Sequence, residues 1–250
     1  MRRAGLGADP QLEPQLRGVD GCRAGWLCLS LPVGEGPQAQ QDVIARLLPD
    51  AQALAEGAEA AITAIDIPIG LVDGRPRRCD QEARRRLGPR RSSVFPAPPR
   101  AVLDAHDHRE ACRRARALDG RGLSVQTWNI AAKVRQVDAL LQERPALVER
   151  FREVHPELAF LVWNGGQPLA HGKRCREGRA ERLALCDQGF PGAWEAIRGR
   201  FPRAAVADDD ILDALALLRS AGRLWRGEAT VLPEAEPEVD GCGLPMAIAY

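Results

Sequence analysis

Apolar positions along the chain fall into short runs alternating with helical stripes. Between Leu16 and Leu31, LRGVDGCRAGWLCLSL carries two apolar stretches around a Gly-rich turn, which predicts two strands and a tight connection. AITAIDIPIG (61–70) is a β-branched apolar run, the pattern of a buried parallel strand. Pro68 should end it, because proline donates nothing to a sheet ladder. Residues 124–143 form the clearest helix, with Ser124 as its cap and Ile130, Val134, Val137 and Leu141 on one face. Further helices are expected at 49–60, near 79–87, and over 104–118 opened by Asp104. Two more are REGRAERLALC (176–186) and DDDILDALALLRSAG (208–222), the second ending at Gly222. REVHPELAFLVW (152–163) reads as a strand, and two short strands near 229–232 and 246–250 finish the chain.

Strands alternating with helices predict an α/β layered domain, and 250 residues suffice for its core. A single domain is expected over 16–250, with the Pro- and Arg-rich stretch 72–122 as a helical insertion and residues 1–15 as a disordered leader. No apolar run has the length of a membrane span or a signal peptide, so a membrane partner is set aside and the cytoplasm is the expected compartment. The seven cysteines are odd in number and contain no C-x-x-C pair, which excludes a disulfide framework and a zinc cage.

Charge is balanced overall but not locally. Residues 75–121 hold 14 Arg against six acids, whereas 204–250 hold three Arg against nine acids. That asymmetry suits a polyanion substrate met by an acidic site. Only two of the 35 basic residues are lysines, Lys133 and Lys173. An aromatic fraction of 4% excludes an extended base-stacking platform, which leaves recognition of a nucleic acid through its backbone or shape.

The acids carry the candidate chemistry. Asp20 precedes a sharp turn, and Asp66 stands among Ile62, Ile65 and Ile67, where an unpaired buried carboxylate is costly. Ligands of open α/β sheets sit at the carboxyl ends of strands. In ADDDILDALALL (207–218), Asp208 or Asp209 can cap the helix, but capping does not account for Asp213, one turn from both Asp209 and Asp210.

GVDGCRAGW (18–26) looks like the first-strand hairpin of RNase H-like nucleases, and AID (64–66) like their fourth-strand acid. DILDALA (210–216) is similar to the last helix of the Holliday-junction resolvases of that superfamily. With DIPIGL (66–71), RRSSVFPAPPR (90–100), VHPE (154–157) and EGRAERL (177–183), the chain closely resembles, over roughly residues 17–250, the bacterial family called domain of unknown function 429. That family is described as a predicted nuclease of RNase H fold. The resemblance implies a central mixed β-sheet flanked by helices, with Asp20, Asp66, Asp210 and Asp213 as catalytic residues holding two Mg²⁺ or Mn²⁺ ions. Asp66 stands where the resolvases carry Glu, and no histidine occupies their usual place.

Glu157, with Glu153 as second choice, is a candidate extra ligand, and His155 a candidate proton carrier or substrate contact. Arg90, Arg91, Ser92, Lys133, Lys173 and Arg182 are candidate phosphate contacts. The leading expectation is a metal-dependent phosphodiesterase or nuclease. Its alternatives are a nucleotide-binding phosphoryl-transfer enzyme and a non-catalytic binding module on the same fold.

Overall fold

The computed structural model describes residues 14–34, 43–56 and 60–250; the expected leader lies outside them apart from positions 14 and 15. Strands β1 (Gln15–Cys22) and β2 (Gly25–Pro32) form the antiparallel hairpin that the sequence predicts. β3 (Ile44–Leu48) extends it on the β2 side. On the other side β4 (Ala60–Ile65) runs parallel to β1, and β5 (Phe151–Glu153) parallel to β4. The result is a five-stranded mixed sheet of order β3-β2-β1-β4-β5.

Seven helices follow in chain order among the described residues: α1 (Arg78–Leu87), α2 (His108–Asp119), α3 (Val125–Glu143), α4 (Pro156–Trp163), α5 (Arg176–Gly189), α6 (Ala193–Arg200) and α7 (Asp208–Trp225). Two short pairs close the chain. β6 (Val231–Leu232) pairs with β9 (Ile248–Ala249), and β7 (Glu238–Val239) with β8 (Pro245–Met246).

Alternation along the strands sorts side chains onto two apolar faces. Val19, Trp26, Cys28 and Ile65 pack against Val134, Val137, Leu140 and Leu141 of α3. Leu27, Leu29 and Ala64 point the other way, onto Ile211, Ala214, Leu215 and Leu218 of α7, where α4, α5 and α6 add Phe160, Cys186 and Ile197. Asp20 shares its parity with Leu16, and Asp66 with Ala64, so both belong to the α7 face.

Several expectations are corrected. Of the strand predicted at 152–163, only Arg152 and Glu153 lie in the sheet, as the end of β5, and from Pro156 the chain is helical, with the His155 ring accepting the Glu157 amide as a cap. Proline suits that first turn because its missing N–H would be unpaired there anyway. Of the helix expected at 49–60, the described residues show one 3-10 turn, Gln52–Ala55, with β4 already begun at Ala60; residues 57–59 lie outside the described residues. The helix predicted from Asp104 begins at His108 and is capped by Asp107, which accepts the Glu110 amide at 2.7 Å. α7 runs through Gly222 to Trp225. Within 72–122 lie α1, α2 and two 3-10 turns, Gly88–Ser93 and Arg100–Val102, with a small cluster of Val102, Ala105, Ala111 and Ala115. All seven cysteines are free. Among the described residues no helix is long and apolar enough to cross a membrane.

Candidate functional site

Register brings the first two carboxylates together. Val19 and Ile65 are paired across the parallel strands, and the Asp66 amide donates to the Val19 carbonyl at 3.1 Å. The residues that follow, Asp20 and Asp66, therefore stand side by side at the carboxyl ends of β1 and β4, facing α7. Asp20 is buried, and its Oδ1 accepts the Gly21 amide at 2.8 Å. Among the described residues no group donates a hydrogen bond to the half-buried Asp66 carboxylate.

α7 supplies the rest. Asp213 is buried on its sheet-facing side, whereas Asp210 reaches back from the first turn to accept the Ala207 amide at 2.7 Å. The four groups feel one another. Burial raises Asp20 well above the usual carboxylate range, and the charges of Asp66, Asp213 and Asp210 raise it further against the pull of Lys173. Asp66 is pushed up to about 7 by burial and then by the Asp213 charge. Burial also lifts Asp213 and Asp210, opposed by Lys173 in the first case and chiefly by the Ala207 amide in the second.

Both lysines stand at this cluster. Lys173 Nζ lies 2.8 Å from Asp213 Oδ2 and 3.4 Å from Asp209 Oδ2, and the Asp213 carboxylate raises its pKa. The segment bearing it is fastened to α5. Glu181 accepts from the His171 amide at 3.1 Å and pairs with its ring nitrogen at 2.7 Å. Gly178 packs so close that a Cβ there would meet the Gly172 carbonyl at 2.0 Å. On the opposite side Lys133 donates to the Gly25 carbonyl at 2.5 Å and lies 4.5 Å from the Trp26 ring centre. Its stem covers Gly21, and burial lowers its pKa against the charges of Cys22, Asp20 and Asp210.

Other expected site residues take different roles. Glu157 is buried against the fully buried Arg182 guanidinium, with Arg90 Nε at 3.5 Å, which gives it a pairing role in place of the expected ligand role. Arg182 is thereby withdrawn from phosphate contact, and Arg90 is turned inward. Glu153 pairs with Arg77 beneath the site. His155 Nδ1 accepts the Glu157 amide, so the ring contact with the Ser93 carbonyl needs the proton on Nε2. Burial also lowers its pKa, and the ring serves as the cap of α4. Arg91 and Ser92 are exposed in the turn Gly88–Ser93, where Arg91 lines a cleft of about 400 Å³ with Gln81, Arg84, Arg85 and Gly88.

Asp208, one of the two expected helix caps with Asp209, instead engages three guanidinium groups, Arg179 at 2.6 Å and Arg198 and Arg203 at 3.2 Å. The N-cap position belongs to Ala207, which has no side-chain acceptor, so the Asp210 carboxylate alone serves that end. Lys173, weighed for phosphate contact, turns out to partner the α7 acids, a relationship with no local sequence signal.

Among the described residues no three His, Cys, Asp or Glu side chains converge as a ready-made metal cage. The donor set nevertheless fits a small hard cation. Mg²⁺ keeps most of its water and is commonly held by one or two carboxylates. Asp20 and Asp66 offer two such groups, raised in pKa by burial and by neighbouring carboxylates, Asp66 and Asp213 acting on Asp20 and Asp213 on Asp66, and a cation there would relieve that repulsion.

Comparison with curated proteins and with solved structures finds no similar chain. A family model described as "Protein of unknown function (DUF429)" matches residues 18–238, most of the chain's length, and this chain belongs to that family.

Proposed function

We propose that the chain is a metal-dependent phosphodiesterase, a nuclease of RNase H-like fold that acts on a nucleic acid. The observation that carries this reading is the placement of Asp20 and Asp66 on adjacent parallel strand ends, facing Asp210 and Asp213 of the helix packed across them. The sheet order β3-β2-β1-β4-β5, with three antiparallel strands followed by two parallel ones, supports the fold assignment.

Asp20 and Asp66 would hold Mg²⁺ or Mn²⁺, with Asp213 and Asp210 beside them. Such an ion supplies Lewis-acid stabilisation of the negative charge that develops on a phosphodiester. The remaining chemistry belongs to the protein. Lys173 and Lys133 bring positive charge to either side of the acids, which tempers their repulsion of a polyanion. Arg85 and Arg91 line the basic cleft on the insertion, suited to phosphate oxygens of a bound backbone.

The test begins with Mn²⁺ calorimetry on the wild type and Asp66→Asn, followed by cleavage assays on single- and double-stranded DNA and RNA. Wild-type binding that disappears in the variant, together with Mn²⁺-dependent cleavage, is the expected result. Equal binding by both proteins, or none by either, would set the reading aside.

A further inference from the structure

The scarcity of lysine gives Lys173 its meaning. Thirty-three of the 35 basic residues are arginine, yet the group paired with Asp209 and Asp213 of α7 is a lysine. Guanidinium is a broad planar fork, whereas ammonium is a compact point charge of the kind a small cation site accepts. Lys173 Nζ sits within contact distance of Asp213 and reaches Asp209. The segment that carries it is held by His171–Glu181 and by the close packing of Gly178 on Gly172.

A metal ion sharing Asp213 on this side would meet that ammonium at close range, and two positive charges so near repel strongly in a partly buried site. On the other side Asp20 and Asp66 have no such neighbour among the described residues: Lys173 acts on them only through space, and Lys133 is taken by the Gly25 carbonyl and the Trp26 face. We infer that Lys173 permanently fills one of the two cation positions expected for such a site, so that the carboxylates take a single divalent ion, at Asp20 and Asp66. This rests on the metal-dependent reading above and changes its stoichiometry.

The experiment counts Mn²⁺ per chain, by calorimetry and by electron paramagnetic resonance of the unbound ion, for the wild type, Lys173→Ala and Lys173→Arg. One ion is expected in the wild type, two in Lys173→Ala, where Asp213 and Asp209 are released, and one again in Lys173→Arg, which keeps the charge. Two ions in the wild type would overturn the inference while leaving a metal enzyme, and that result does not depend on any variant folding. One ion in a folded Lys173→Ala would also overturn it, since the lysine would then exclude nothing. No ion in the wild type would overturn both the inference and the metal-dependent reading.

Discussion

Gly18 of β1 lies so close beneath Leu218 of α7 that a Cβ in its place would stand 2.2 Å from the Leu218 amide nitrogen and 2.3 Å from the Ala214 carbonyl. Both obstacles are backbone, so no rotamer change relieves them. This contact sets how deeply α7 settles on the sheet, and hence how near Asp213 comes to Asp20. Gly18→Ala should destabilise the fold by about 3 kcal/mol, the upper end for overpacking, and should weaken Mn²⁺ binding as α7 lifts. Urea denaturation reads the first effect and calorimetry the second. A midpoint equal to wild type would contradict the close approach.

The raised carboxyls predict an unusual pH response. A carboxyl whose pKa is higher in the folded protein binds its proton more tightly there, so it favours folding at low pH. That advantage fades as pH rises from about 4, the unfolded value, through the folded value. For Asp66, pushed up to about 7, the loss should run from about pH 4 to 7, with Asp20 and Asp213 adding in the same sense. Surface groups such as Glu110 and Glu228, lowered by their hydrogen bonds, act oppositely, so the comparison with Asp66→Asn isolates the effect. In chelator, Asp66→Asn should gain a few degrees of melting temperature over wild type between pH 5 and 8. Parallel melting curves for the two proteins across that range would refute the shift.

The two strand-end aspartates were legible because each interrupts or closes an apolar run whose period sets its face. Strand parity gives the face of each, but it was the family resemblance that put Asp20 and Asp66 together, since parity does not say that β1 and β4 are neighbours. The partner of Asp213 was not legible, because Lys173 lies 40 residues away and meets it only once α5 packs against α7. The switch from β5 to α4 was hidden by Leu158, Phe160 and Leu161, buried in a helix apolar on nearly all sides, which erases the helical period. Its start signals, Pro156 and the His155 cap, were there to be read. β3 was missed because IARLL is short and half exposed, at the edge of the sheet.

Arg77 ties the loop after Asp66 to the rest of the site. It forks onto Asp80 at 3.1 and 2.6 Å and onto Glu153 at 2.8 and 2.7 Å, and it also donates to the Ile69 carbonyl at 2.9 Å. All three side chains are buried, so removing the cation strands two carboxylates. Arg77→Met should cost about 3–5 kcal/mol. Arg77→Lys should recover only part of it, because an ammonium cannot form two planar forks. Equal stability of Arg77→Lys and wild type in urea titrations would show that charge alone suffices.

The run of aspartates at the start of α7 divides by role, and mutation should separate them. Asp208 holds Arg179, Arg198 and Arg203, and Arg198 is itself nearly buried, which joins α5, α6 and the 201–206 segment to the helix start. Asp208→Ala should therefore lower stability by about 2 kcal/mol, the scale of a lost charged hydrogen bond, while Mn²⁺ affinity stays within about twofold of wild type. Asp213→Asn should do the reverse on binding, weakening Mn²⁺ by about tenfold, since it leaves the Lys173 ammonium uncompensated beside the Asp20 and Asp66 carboxylates. Calorimetry and urea titration on both variants measure the two effects side by side. If Asp208→Ala lost the metal and Asp213→Asn kept it, the assignment of roles along this helix would have to be exchanged.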